Sequence, residues 1–98
     1  MPATRTALII IATFKDDWRK LSLAAQNEFV ERIGATAQAA GILPVSGYRL
    51  SSAPGAFLQV WEGADRAAVD RAVQELQGIG YARYIEARFL IGERDTET

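Results

Sequence analysis

The order of apolar segments in this chain predicts an α+β fold: strand, helix, two strands, helix and a last strand, laid into one antiparallel four-stranded sheet. Three observations carry that prediction. The first apolar run, Thr6 to Lys15, is apolar at both parities, so a strand built from it must be covered on both faces. Two stretches repeat apolar residues at helical spacing and are each closed by glycine. Between them lie two short strand-like runs joined by a Pro-Gly turn, and a final such run ends the chain.

The elements follow in order. "TALIIIATFK" is rich in β-branched residues; Leu8, Ile10, Ala12 and Phe14 point one way, and Ala7, Ile9, Ile11 and Thr13 the other. Ser22 stands where the next helix needs an N-cap, although Ala25 at the third helical position gives no capping box. That helix carries a stripe of Leu23, Gln26, Val30, Ile33, Ala37 and Ala40, widened by Phe29, and Gly41 follows as a C′ glycine. Gly34 inside it costs about 1 kcal/mol relative to alanine, unless close packing needs the missing side chain. "ILPVSGYRLSS" is the second strand, and Pro44 places it at a sheet edge or starts it a residue later. "SSAPGA" turns the chain into a third strand, "AFLQVWE", with faces Phe57, Gln59, Trp61 and Leu58, Val60, Glu62. Asp65 caps a second helix with the stripe Val69, Ala72, Val73, Leu76 and Ile79, ended by Gly78 and Gly80. Tyr81 to Tyr84 read as a loose turn and "IEARFLIGE" as the fourth strand. With no repeat or linker, residues 1–98 are expected to form a single domain, with 93–98 as a frayed tail.

Composition narrows the chemistry. Ninety-eight residues, 49% of them hydrophobic and 23% charged, suit one small folded domain. A net charge of -1, with both signs scattered, offers no field for nucleic acid or an anionic membrane. The absence of cysteine excludes disulfides and thiol nucleophiles; the absence of histidine excludes serine-histidine catalysis, histidine-ligated haem and nearly all zinc, copper and non-haem iron sites. No acidic run resembles a calcium loop, so neither a metal nor another cofactor is expected. "ALIIIATF" is too short to span a bilayer and lacks a signal-peptide cleavage pattern, so the expected location is cytoplasmic.

The order β-α-β-β-α-β is the ferredoxin-like plait, with both helices on one face of the sheet. The other face holds Ile9, Ile11, Phe57, Trp61 and Phe89 or their opposite-parity neighbours, and either set is too apolar to stay in water. A second copy, sheet against sheet, is the expected cover. Burying on the order of 600 Å² of apolar surface per subunit would contribute about 15 kcal/mol gross before association costs. A homodimer through the sheet face is therefore expected.

Three pieces, "DDWRKLS", "FLQVWEGADRAAV" and "GIGYARYIEARFLIG", carry a resemblance to the dimeric α+β barrel superfamily, and within it to small families that include the darcynin-like proteins. Their order covers most of the chain; each piece is short and none is a catalytic signature. Where such families often set a second aromatic beside the tyrosine before the last strand, this chain has Gly80-Tyr81 and Tyr84. The resemblance implies a site between helices and curved sheet, or inside the barrel. It also implies kinship with cofactor-free monooxygenases, polyketide cyclases, lactone isomerases and haem enzymes. The haem branches, and the histidine-dependent cyclases and oxygenases, use a histidine that this chain does not have.

Arg49, Gln59 and Arg88 lie in otherwise apolar strands, where polar groups are costly to bury unless paired. Either they line a cavity and hold an anionic or enolate-like oxygen, or they sit at strand ends or edges with the arginines pairing Glu62 or Glu86 at the surface. Gln59 is the stronger cavity residue, because it shares a parity with Phe57 and Trp61. Trp61 can wall a flat ligand or fill the core, and Trp18 can plug the point where the first strand meets its helix. Tyr84 and Tyr81 can donate a phenolic proton and Glu86 can act as a base if burial raises its pKa; alternatively they form the collar between helix and strand. The residues expected to act in catalysis are thus Tyr84, Glu86 and Arg88, and those expected to bind substrate are Arg49, Gln59, Trp61 and Trp18.

Two other readings are weaker. Pro2 would offer a basic amine after methionine removal, but Ala3-Thr4-Arg5 separate it from the first strand. "GIG" at Gly78 to Gly80 follows a helix instead of opening one, so it makes no phosphate cradle. The expected function is a cofactor-free enzyme that oxidises, cyclises or isomerises a small apolar molecule, aromatic or polyketide-like. The rival is a non-catalytic ligand-binding or scaffolding homodimer, and cavity volume separates the two.

Overall fold

The alternation of the first strand organises the whole molecule. In β1 (Thr6–Phe14), Leu8, Ile10 and Ala12 are buried while Ala7, Ile9 and Ile11 are only half covered. The structure, a computed structural model, describes residues 5–94; Pro2 and the end of the expected frayed tail lie outside that range. After β1 come α1 (Asp16–Arg19), α2 (Leu23–Ala39), β2 (Ile42–Arg49), β3 (Ala56–Gly63), α3 (Arg66–Gly78), α4 (Tyr81–Tyr84) and β4 (Ile85–Glu93). The strands form one sheet in the order β2-β3-β1-β4, with every neighbouring pair antiparallel. This is the ferredoxin-like plait with two single-turn helices added. Neither α1 nor α4 is long enough to display a helical period, and so neither was visible as a helix in the sequence.

Register settles which parity faces which way. Leu8, Ile10 and Ala12 stand opposite Trp61, Gln59 and Phe57 on one side, and opposite Ile91, Phe89 and Ala87 on the other. These residues meet Val69, Ala72 and Leu76 of α3 in the core. Ile9 and Ile11 stand instead with Val60, Leu58, Leu90 and Arg88 on the opposite face. The set Ile9, Ile11, Phe57, Trp61 and Phe89 is therefore divided, with the aromatics under the helices.

The caps form as the sequence predicts. Ser22 Oγ accepts from the Ala25 N–H at 3.1 Å, and Asp65 Oδ1 from the Ala68 N–H at 2.9 Å. Each such cap stabilises its helix by about 1 kcal/mol. Gly41 sits at φ +101°, the left-handed geometry that ends α2. Gly63 answers a different need: a Cβ there would lie 2.9 Å from Ile42 Cγ2 and 3.3 Å from Ala68 Cβ, where β3 passes into α3. Pro44 lies in β2, an edge strand, and the β2–β3 register shifts between Pro44 and Ser46. β2 stops at Arg49, and the Leu50 N–H donates to the Ala56 carbonyl at 3.0 Å to close the turn. At the other end Glu93 still belongs to β4, and the Arg94 N–H donates to the Arg5 carbonyl at 2.9 Å, so order extends past the expected start of the tail.

α2 departs from the sequence reading. Phe29 and Ala37 are buried, but Leu23 and Val30 of the same stripe are 73% and 54% exposed. The helix does not press its whole stripe onto the sheet, and the space left under Val30, Ile33 and Gly34 is the cavity described below. On the far side of the sheet, Leu43, Tyr48 and Leu90 are 57%, 61% and 40% exposed, beside the half-covered Ile9, Ile11 and Val60. Among the described residues no helix is long and apolar enough to cross a membrane.

Candidate functional site

Between α2, the β2–β3 turn and the helix side of β3 opens a cavity of about 920 Å³. Its walls are built largely by Phe14, Trp18, Phe57, Trp61, Ile33 and Ile85. The Phe14 ring stacks on Trp18 with centroids 4.7 Å apart and tilts against Phe57 at 5.1 Å. Trp18, only 8% exposed, is fixed further by Gln26 Nε2, which donates to its carbonyl at 3.0 Å. The one-turn helix α1 thus presents an indole to the cavity.

The polar groups are few. Gln59 Oε1 accepts from Trp61 Nε1–H at 3.4 Å. An indole nitrogen can only donate, so the amide must turn its oxygen toward it and its NH₂ group elsewhere. That NH₂ makes no hydrogen bond among the described residues. Tyr81, 3% exposed, follows Gly80, whose left-handed φ of +87° turns the chain into α4. Burial pushes its phenol up to about 12. At neutral pH it is a proton donor. Arg49 stands on the exposed rim without an ion pair among the described residues. Gly34 lines the opposite wall, and a Cβ added there would meet nothing within 4 Å.

Arg49, Gln59, Trp61 and Trp18 are therefore brought together around one cavity. Tyr84, Glu86 and Arg88 are not. The Tyr84 ring packs edge-on against Phe29 and Trp18, at 5.0 and 6.2 Å, and its carbonyl accepts from the Lys15 N–H at 2.8 Å; it belongs to the collar. Glu86 and Arg88 stand opposite Thr13 and Ile11, on the face away from the helices. The cause is alternation: Ile85 is buried as β4 begins, so the even positions after it point outward. Among the described residues the arginines pair with neither Glu62 nor Glu86; Glu62 accepts instead from Arg94 at 2.9 Å. Tyr81 is the tyrosine that lines the cavity, and a helical reading of Tyr81 to Tyr84 would have been needed to separate it from Tyr84.

Among the described residues no group of three or more acidic, histidine or cysteine side chains could hold a metal ion. Haem does not fit either: the chain has no histidine or cysteine, and Tyr81, the cavity tyrosine on the helix side of the sheet, is held by burial as the neutral phenol.

No family model matches the chain, and no curated protein does. Solved structures do. A chlorite dismutase from Candidatus Nitrospira defluvii superposes with a TM-score of 0.73 at 13% identity, over 99% of this chain and 42% of the other. SnoaB, a cofactor-independent oxygenase from Streptomyces nogalater, gives 0.66 at 13% identity over 98% and 97%. A dimeric ferredoxin-like protein from an uncultured marine organism gives 0.60 at 14% identity over 98% and 99%. The chain shares its ferredoxin-like fold with these proteins. This chain spans less than half of the chlorite dismutase but matches the two small proteins from end to end. At these identities the likeness is one of fold.

Proposed function

We propose that this chain is a small cofactor-free enzyme that oxidises, cyclises or isomerises an aromatic or polyketide-like molecule. The observation that carries the reading is the cavity itself: about 920 Å³, walled by aromatic and aliphatic side chains, with a few polar groups converging on it. A scaffold would have had a solid interior. The fold shared with the cofactor-independent oxygenase SnoaB supports the same class of chemistry.

In this scheme Trp61 and Trp18 hold a flat ring system, and the free NH₂ of Gln59 binds a carbonyl oxygen. Arg49 stabilises negative charge as it develops, as a guanidinium in a largely apolar site does well. Tyr81 returns a proton, in the role the sequence assigned to Tyr84. Glu86 and Arg88 serve the opposite face of the sheet. There Tyr48 and Leu90 are exposed beside Ile9 and Ile11, and a second copy covers them to make a homodimer; the dimeric ferredoxin-like neighbour supports that assembly.

One observation favours ligand binding without catalysis: among the described residues no aspartate or glutamate lines the cavity, so they supply no evident base. A thermal-shift screen against flat phenols and quinones tests the site, with stabilisation by some of them expected. No stabilisation by any would refute it. Oxygen uptake or product formation with the compounds that bind separates enzyme from binding protein.

A further inference from the structure

The side chains that face the cavity interior share one property: they donate. The oxygen of Gln59 is turned toward the Trp61 indole, which leaves the amide hydrogens free for a ligand. Tyr81 keeps its proton because burial disfavours the phenolate. Arg49 presents a fork of N–H groups and has no acceptor atom at all. Ser51 adds a hydroxyl that serves either way. Among the described residues that line the cavity Arg49 is also the one charged group, and no carboxylate among them neutralises it. An uncompensated cation thus stands at the mouth of an apolar, donor-lined chamber.

We propose that the ligand is an aromatic anion: a flat ring system carrying a carboxylate or an ionised phenol or enol, its charged oxygen at Arg49 and a second acceptor oxygen at Gln59. The inference rests on the cavity being the substrate site and adds the charge of what enters it. A ring without acceptors would leave the donors unpaired, a neutral carbonyl would satisfy Gln59 but not the charge of Arg49, and a cation would meet Arg49 directly. Because no carboxylate lines the cavity among the described residues, the ligand loses its proton to solvent and arrives already ionised. Arg49 then selects the ionised form, so affinity for an acidic phenol rises with pH through the phenol's own pKa and levels off above it.

Calorimetric titration with 2-naphthoate and 2-naphthamide tests this, since the pair share shape and differ in charge. The expected result is naphthoate binding tighter by roughly tenfold, the scale of one charge-assisted contact. Arg49→Met should remove that preference while leaving naphthamide affinity within about twofold, and Arg49→Lys should restore part of it. Arg49 is exposed and unpaired among the described residues, so both variants should melt within a few degrees of the parent. Equal binding of the two compounds by the parent protein, or a preference that survives in Arg49→Met, overturns the anion inference and leaves the site standing. Failure of both compounds to bind overturns the inference together with the site.

Discussion

Gly34 allows the cavity to be altered without damaging the helix that roofs it. The residue lies within α2 (Leu23–Ala39), where glycine destabilises a helix by about 0.5–1 kcal/mol relative to alanine. The sequence suggests close packing as the reason for tolerating it, but a Cβ at Gly34 would meet nothing within 4 Å. The missing side chain leaves empty space. Gly34→Ala should therefore stabilise the protein by about 0.5–1 kcal/mol, a rise in Tm of roughly 2–8 °C for a domain of this size. Gly34→Leu keeps nearly all the helical gain, because leucine is almost as good a helix former, and its side chain extends into the cavity. Its affinity for a ligand found in the phenol and quinone screen should fall at least about tenfold. The assays are thermal unfolding at one fixed protein concentration and calorimetric titration of parent and variants. Greater stability with weaker binding cannot come from general damage. Two results would refute the reasoning: Gly34→Leu binding as tightly as the parent, which removes the cavity as the site, or Gly34→Ala losing stability, which means another group already fills that space.

Two further outcomes follow from the geometry. The Tyr81 phenol is raised from 10.0 to about 12 by burial, so the folded state holds its proton more tightly than the unfolded state. That contribution is fully present below pH 10 and is lost as pH rises toward 12, a decline of about 2–3 kcal/mol in urea unfolding that Tyr81→Phe should flatten; an unchanged alkaline limb in the variant would remove the premise. On the far face, Leu90→Arg should weaken a sheet-to-sheet dimer by several kcal/mol by burying an unpaired charge. Sedimentation velocity at micromolar concentration should then show a dimer for the parent and a monomer for the variant, whereas a monomeric parent would exclude the assembly.

Much of this fold was legible because its punctuation is local. Ser22, Gly41 and Asp65 act within one turn of the chain, through hydrogen bonds and a left-handed φ that depend on no distant partner. The faces of the sheet were not legible in the same way. β1 is apolar at both parities, so its period of two orients nothing by itself. What decides is the register that aligns Leu8 with Trp61 and Ile10 with Gln59, placing the bulky aromatics of β3 under the helices. That is a long-range fact. The same limit explains Glu86 and Arg88: their chemistry suited an active site, but only pairing with Thr13 and Ile11 shows that they look the other way.

Arg49 shows why alternation alone could not have assembled the site. Ile42 and Pro44 stand opposite Gly63 and Trp61, on the helix side of the sheet. Strict alternation from there would put positions 46 and 48 on the same side and send Arg49 to the face of Leu43. The register shift between Pro44 and Ser46 inserts Val45 as an extra residue, and every later side chain changes face. Gly47 and Arg49 then stand opposite Gln59 and Phe57, and Tyr48 opposite Leu58. One bulge beside a proline in an edge strand, where a ladder hydrogen bond is missing anyway, delivers the guanidinium to the cavity and the tyrosine to the outer sheet face. The proposed anion site and the proposed dimer face both depend on that single irregularity.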